Sequence, residues 1–202
     1  MKQMTQIANV EHTKNTKHIK HTKHIKHAPL ILVALAALVG MVSPMANAHV
    51  TMEQTTAFTG AYQKLTFKIG HGCEGSGTHT VKVTLPDGVM GAKPMPKAGW
   101  KLTTQVEDLA TPYQSHGKTI SKDVREVSWS EGLLPDAHYD EFSVQVKLPD
   151  TPGKLYFKVT QLCEQGRWDW VEIPKEGQSK KDLKAPAPML DVQGKQEAGH
   201  QH

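Results

Sequence analysis

The sequence predicts an all-β protein, an antiparallel Greek-key β-sandwich. Apolar residues alternate with polar ones in KLTFKI (64–69), TVKVTL (80–85), EFSVQVKL (141–148) and KLYFKV (154–159). A period of two places one face of each strand in a core. Turn-forming Pro, Gly and Asp residues separate these segments, and nothing after residue 48 has the spacing of a long amphipathic helix. Antiparallel strands with one buried face are therefore the architecture that the pattern favours.

Shorter strands are predicted at Trp100–Val106, Glu126–Ser130 and Trp168–Ile173. After Pro174 the chain becomes polar and contains several prolines, as in KEGQSKKDLKAPAPML. We therefore place the boundary of the sandwich domain at 49–176 and predict a polar, Pro-containing C-terminal tail at 177–202.

The first 48 residues have the organisation of a secretory signal peptide. Residues 1–27 carry six Lys against one Glu, and the apolar run APLILVALAALVGMV follows at 28–42. That run is shorter than the roughly 20 residues of a membrane-spanning helix. It leads into Ala46-Asn47-Ala48, a small-x-small cleavage pattern. We predict cleavage after Ala48, a periplasmic or secreted protein, and no stable membrane span after cleavage.

Removal of this leader changes the charge of the protein. The mature chain has 154 residues, with 18 Lys and Arg against 19 Asp and Glu, once the leader's six Lys and one Glu are subtracted from the totals of 24 and 20. Its formal charge is therefore near zero, and the basic character of the full chain belongs to the leader. A nucleic-acid partner is not expected, because that would require a basic patch on the folded domain.

Both cysteines, Cys73 and Cys163, lie in the mature chain. Two distant cysteines in a small exported domain predict one disulfide, and the alternatives are two free thiols or two metal ligands. In the chain-entropy description, closing a loop of this length contributes about 4–5 kcal/mol of stability.

Cleavage after Ala48 would make His49 the first residue of the mature protein. A single residue would then offer an α-amine and an imidazole nitrogen, which can close a chelate ring on one metal ion. Nitrogen donors of this kind suit Cu(II). An α-amine with a pKa near 8 also loses its proton readily to a metal at neutral pH. The alternative is a solvated terminus with no ligand.

The mature chain resembles the YcnI family of exported copper-binding proteins. The resemblance covers nearly all of residues 49–190 and is carried by HVTM (49–52), GHGCEGSGT (70–78), LPDGV (85–89), PMPKAGW (94–100), REVSWSEG (125–132), QLCE (161–164), WVEIP (170–174) and PAP (186–188). It implies a cupredoxin-like or immunoglobulin-like β-sandwich. It also implies one copper ion held by a single-histidine brace at the mature N-terminus, with a carboxylate ligand and a nearby tryptophan.

Transferred to this chain, the resemblance makes His49 the brace residue. For the carboxylate we favour Glu74, in the HGCEGS segment beside Cys73, and Glu53 is the rival. An early-strand Glu found in some members is replaced here by Gln63, so that ligand is in doubt. Trp170 is assigned as the indole beside the metal, with ordinary core packing as the alternative for it.

Two further histidines, His71 and His79, flank the Cys73 segment and are candidates for groups around the metal. A satisfied or exposed histidine is the commoner case, so direct ligation is the less favoured interpretation. A blue-copper centre is disfavoured, because it needs a Cys with two His and an axial ligand.

The leading hypothesis is therefore a protein that captures, buffers or transfers Cu(II), with exported or membrane-bound copper-trafficking or copper-requiring proteins as partners. No G-x-S-x-G, H-E-x-x-H or phosphate-binding glycine loop occurs, so an enzyme is not expected. One alternative is a copper-dependent oxidative enzyme in which His71 or His79 supplies a second histidine. Another is a β-sandwich interaction module that binds no metal.

Overall fold

Residues 49–194, the part of the chain that this computed structural model describes, fold almost entirely into β-strands. The predicted signal peptide, its cleavage site and residues 195–202 lie outside the described range. The strands are β1 Thr51–Met52, β2 Thr56–Phe58, β3 Tyr62–Ile69, β4 Thr78–Thr84, β5 Met90–Pro94, β6 Lys101–Ser115, β7 Lys118–Ser130, β8 Asp140–Lys147, β9 Gly153–Tyr156, β10 Lys158–Cys163, β11 Arg167–Trp170 and β12 Met189–Gln193.

The strands form two main sheets and a smaller third one. One sheet has the order β1-β3-β8-β5, and the other has the order β11-β10-β4-β7-β6. The small sheet, β2-β12-β9, contains a parallel pair between β2 and β12. Because β3 pairs with β8 and β4 with β10, the chain crosses repeatedly between the sheets. The predicted antiparallel β-sandwich is confirmed.

The core lies between the two main sheets. Leu65, Phe67 and Val144 come from one sheet, and Val81 and Val83 from the other, all at most 1 % exposed. Each such side chain contributes about 1.5–3 kcal/mol when it is removed from water. These residues occupy the alternating apolar positions of the sequence, so the period of two does mark the inward faces.

Trp100 and Trp129 differ in burial. Trp129 is fully buried, and its Nε1–H donates to the carbonyl of Met95 at 2.9 Å. Trp100 is half-buried and packs edge-on against Phe142, with the ring centroids 5.0 Å apart. The buried indole is therefore hydrogen-bonded, as its polar edge requires.

The predicted strand at 154–159 is in fact two strands that belong to different sheets. β9 pairs with β12, whereas β10 pairs with β4 and β11. At the junction, Phe157 donates its backbone N–H to Pro188. The alternation of buried residues continues through this point, so periodicity alone gives no sign of the change of partner.

The hairpin of β6 and β7 is much longer than the strands predicted at 100–106 and 126–130. Most of its residues between Thr103 and Asp123 are exposed. A strand with both faces near solvent carries no apolar alternation, and for this reason the sequence pattern missed it. His116 and Gly117 form its two-residue turn with φ of 48° and 74°, as expected for a hairpin turn in which both central residues have positive φ.

The domain extends beyond the boundary that we predicted at residue 176. A short 3-10 helix spans Lys180–Asp182, and β12 follows it. Leu190 and Val192 of β12 are at most 2 % exposed and belong to the main core. The predicted tail therefore does not begin at residue 177, because the folded domain continues through residue 193. The polar composition of 175–184 obscured the short apolar strand behind it.

No helix within residues 49–194 is long and apolar enough to cross a membrane.

Candidate functional site

His49 lies two residues before β1, an edge strand of one main sheet, and beside the last residue of β11, an edge strand of the other. It precedes β1, the edge strand that pairs with β3 through Thr51↔Lys68 and Met52↔Phe67. Its side chain is half-buried. The imidazole meets the indole of Trp170 edge-on, with centroids 5.6 Å apart and planes at 83°. The structure therefore brings together His49 and Trp170, which the sequence had linked only through a family resemblance.

Trp170 ends β11, the edge strand of the five-stranded sheet, and is 3 % exposed. Trp168, two residues earlier on the same face, stacks on it at 5.2 Å with planes at 25°. Trp170 also belongs to the main hydrophobic core. The alternative of core packing therefore holds for Trp170, and the same indole also contacts His49.

His71 is the second imidazole beside Trp170. It follows the end of β3, and its ring centroid lies 6.4 Å from that of the indole, with planes at 81°. Its Nδ1 is within hydrogen-bonding distance of the carbonyl of Gly72. His79, by contrast, lies on β4 and its Nδ1 contacts Oγ1 of Thr80 at 2.9 Å. Of the two additional histidines considered from the sequence, His71 is the one that lies against Trp170.

Gln161 of β10 joins Trp170 to the His71 backbone by hydrogen bonds. It is 1 % exposed, and its Oε1 accepts a hydrogen bond from Nε1–H of Trp170 at 3.2 Å. Its Nε2 donates to the carbonyl of His71 and to Oγ1 of Thr78, both at 2.7 Å. One buried amide thus connects the indole to the segment that carries His71.

Cys73 and Cys163 form the predicted disulfide, with Cα atoms 5.9 Å apart. The bond joins the 70–77 loop to the end of β10. Within the loop, Cys73 and Ser76 exchange both backbone hydrogen bonds at 2.9 Å. Gly72 is required for this close turn, because a Cβ there would lie 1.8 Å from the carbonyl oxygen of Ser76. The disulfide and the loop backbone together fix the approach of His71 to the sheet.

Glu74 occupies the tip of this loop. It is exposed and has a φ of 52°. Together with Trp168, Arg167 and Lys184 it lines an open polar cavity of about 350 Å³, and Cys73 forms part of the cavity wall. The ammonium group of Lys184 lies 5.6 Å from the centroid of the Trp168 ring. Glu74 therefore lines the same cavity as Trp168, the tryptophan that stacks on Trp170.

Glu53, the rival carboxylate, directly follows β1. It is exposed and accepts a 3.3 Å hydrogen bond from the side chain of Gln54. Its backbone N–H donates to the carbonyl of Thr66. Both carboxylates are solvent-accessible, and neither has a described contact with the imidazole of His49.

One carboxylate of β11 has a perturbed pKa. The hydrogen bond from Arg167, at 2.6 Å, lowers the pKa of Asp169, and partial burial opposes this effect. Thr160 also donates to the carboxylate at 2.9 Å. Asp169 therefore stays ionised at neutral pH. It is engaged by its own neighbours on β10 and β11, on the strand that carries Trp168 and Trp170.

Within residues 49–194 no cluster of three or more His, Cys, Asp or Glu side chains is arranged to hold a metal ion. The residues that come together are His49, His71 and Trp170, supported by Gln161. The sequence analysis missed Gln161, although a signal was present. Phe157, Val159, Gln161 and Cys163 are successive inward positions of one alternating pattern, and a polar residue at an inward position is the exception that marks a site.

The fold and this site define an immunoglobulin-like β-sandwich domain in which a histidine before β1 contacts the tryptophan that ends β11. The chain belongs to the family described as "Domain of unknown function (DUF1775)", whose sequence profile matches residues 49–192. That match starts at His49. No curated protein matches the chain at a significant level.

Solved structures agree with the fold. An uncharacterized protein from Nocardia farcinica with an immunoglobulin-like fold is 24% identical, with a TM-score of 0.54 over 71% of this chain and 97% of that one. A type I cohesin from Pseudobacteroides cellulosolvens is 9% identical, with a TM-score of 0.37 over 76% of this chain and 97% of that one. The first likeness supports the immunoglobulin-like architecture, and the second is too distant to add to it.

Proposed function

We propose that this protein is an exported copper-binding protein that captures, buffers or transfers Cu(II), with His49 as the first residue of its mature form. The observation that carries the proposal is the contact between His49 and the buried indole of Trp170. The chain shares motifs with the YcnI family, which is a DUF1775 family, and this resemblance implies that the same two residues lie at a copper ion.

The donor set fits Cu(II) through two nitrogens of one residue. His49 is half-buried, so part of the residue remains accessible to solvent. Signal-peptide cleavage would add the α-amine, and a chelate of that kind needs no cluster of three ligating side chains. The indole of Trp170 would exclude water from one side of the ion without ligating it. The accessible terminus would let a partner protein reach the ion and take it over.

The disulfide supports the exported location in this proposal. Disulfides persist in oxidising compartments and are rare in the cytosol. Both cysteines are paired, so within residues 49–194 no thiol is left to act as a copper ligand. The partners are proposed to be exported or membrane-bound proteins that traffic or require copper.

The proposal is tested by titrating protein that begins at His49 with Cu(II), followed by electron paramagnetic resonance. We expect one equivalent to bind with a spectrum typical of nitrogen and oxygen donors. The His49→Ala variant should lose this signal, whereas His116→Ala, a control in the exposed turn between β6 and β7, should keep it. Equal spectra for His49→Ala and the unchanged protein would contradict the proposal.

Glu74 is proposed as the carboxylate ligand, with Glu53 as the rival. Glu74→Gln keeps the shape and removes the charge, so it should weaken Cu(II) binding about tenfold, or about 1.4 kcal/mol. Glu53→Gln is the matched control, because that side chain is also exposed, and its effect should be smaller. Affinities are measured by competition with a chelator of known strength. Reversed effects would move the ligand to Glu53 and leave the role of His49 intact.

The oxidative enzyme remains a second candidate because His71 lies against the same indole as His49. In that case the copper-loaded protein should carry out peroxide-dependent oxidation that His71→Ala abolishes and His79→Ala does not. The immunoglobulin-like fold is equally compatible with a metal-free interaction module, which should bind copper no better than the His49→Ala variant.

A further inference from the structure

We infer that Gln161 is a positioning residue of the proposed copper site, holding the indole and the 70–77 loop in register around His49. This inference rests on the proposed function and deepens it. Gln161 is assigned this role because it contacts Trp170 and the His71 backbone at once, although it does not touch His49 itself.

The burial of Gln161 makes its hydrogen bonds costly to lose. The side chain is 1 % exposed and lies at an inward position of β10, between Val159 and Cys163. A buried amide without partners is strongly destabilising, so such a residue is kept only where its partners are fixed. Its Oε1 is engaged by Trp170, and its Nε2 by His71 and Thr78.

These bonds determine how the indole is oriented. Trp170 has one polar atom, Nε1–H, and that atom donates to Gln161. With this edge of the ring fixed, rotation about the side-chain bonds is blocked, and the ring is held against His49. Trp168 stacks on the face of the Trp170 indole and limits movement of that ring perpendicular to its plane.

The same amide holds the backbone of the His71 segment. His71 lies two residues after the end of β3, and two residues further along, its loop is attached to β10 by the disulfide at Cys73. The bond from Gln161 to the His71 carbonyl therefore attaches the loop to β10 at a second point, two residues before Cys163. Replacing residues that hydrogen-bond to metal ligands typically changes metal affinity 10–100-fold. Gln161 acts one step further from the metal, through the loop that carries the proposed ligand Glu74, so the low end of that range is expected.

The test compares Gln161→Met, which keeps the volume and removes all three hydrogen bonds, with Thr160→Val. Thr160 is the matched control, because it is the neighbouring residue on β10 and donates to Asp169 instead of Trp170. We expect Gln161→Met to weaken Cu(II) binding about tenfold and to change the copper resonance spectrum. In the metal-free protein, the Nε1–H signal of Trp170 should lose its protection against exchange with solvent. Thr160→Val should leave all three readouts unchanged.

A folded Gln161→Met variant with copper affinity within about twofold of the unchanged protein and an unaltered spectrum would overturn the inference. If that variant does not fold, Gln161→Asn decides the question, because it keeps the amide but is one methylene too short to reach both partners. Binding unchanged in Gln161→Asn would overturn the inference as well. Absence of copper binding in the unchanged protein is a separate result, which would reject the proposed function itself.

Discussion

Protein that begins at Ala48 instead of His49 is expected to bind Cu(II) about a hundredfold more weakly, a loss of about 2.8 kcal/mol. The reason is chemical. An added residue converts the α-amine of His49 into an amide, so the chelate between the amine and the imidazole of this one residue is lost. The α-amine of Ala48 is blocked by acetylation in this test, because with a free amine Cu(II) could displace the proton of the amide between Ala48 and His49 and form a different chelate. The imidazole of His49 is retained in this acetylated extension, so the experiment isolates the contribution of the α-amine.

The measurement is a chelator competition on the two proteins, each checked by mass spectrometry for its first residue. A second extension, by one residue after His202, provides a control of equal length at the other end. Equal affinities for the processed protein and the protein that begins at Ala48 would rule out the amine as a ligand. The imidazole would then act with side chains alone, and His71 would become the next residue to test.

Removal of the disulfide is expected to have the largest effect on stability. The bond spans 90 residues, so the chain-entropy description gives a contribution of about 4–5 kcal/mol. For a domain of this size the melting temperature of Cys73→Ser/Cys163→Ser should fall by roughly 10–15 °C, as followed by circular dichroism. Copper affinity should also fall at temperatures where the double variant is still folded, because the 70–77 loop is then attached to the rest of the domain only by hydrogen bonds, such as the one from Gln161 to the His71 carbonyl.

The melting temperature and the copper affinity of this double variant report separately on the role of the disulfide in the fold and its role in the copper site. A large loss of stability with unchanged copper affinity would mean that the Cys73 loop supports the fold but not the site. In that case Glu74 would no longer be a candidate ligand. A thiol assay that finds two free cysteines in native exported protein would contradict both expectations together.

Periodicity predicted the sandwich because its main strands bury one face each, and the alternating residues of β3, β4, β8 and β10 are the core residues of the structure. The same reasoning could not predict which strands pair. β9 and β10 look like one strand because sheet membership depends on distant partners such as Pro188. The exposed hairpin and the short β12 escaped detection for a related reason, since neither carries a long alternating pattern of its own.

The candidate site was only partly readable from the sequence. His49 and Trp170 are 121 positions apart, and no local pattern connects them, so their contact could be expected only from a resemblance. Gln161 was visible as a polar residue at an inward position, yet its partners depend on how β10, β11 and the 70–77 loop come together. Glu74 stands out in its motif, but a motif does not specify where the side chain of a loop tip lies in space.

The outer part of the β6–β7 hairpin is expected to be less stable against unfolding than the sandwich. Beyond Gln105 its strands pair only with each other, and a two-stranded ribbon is marginally stable alone. Asp123 and Arg125 of β7 attach this arm to the body: Oδ2 of Asp123 accepts from the backbone of Gly91 at 2.7 Å, and Arg125 donates to the carbonyls of Pro86 and Val89. Tyr113, within the arm, donates to the same Asp123 oxygen at 2.8 Å. The arm can therefore open and close as a local unit while the sandwich stays folded. Its amide protons should exchange with solvent long before those of β4 or β8, and loss of the Asp123 carboxylate should make that exchange faster.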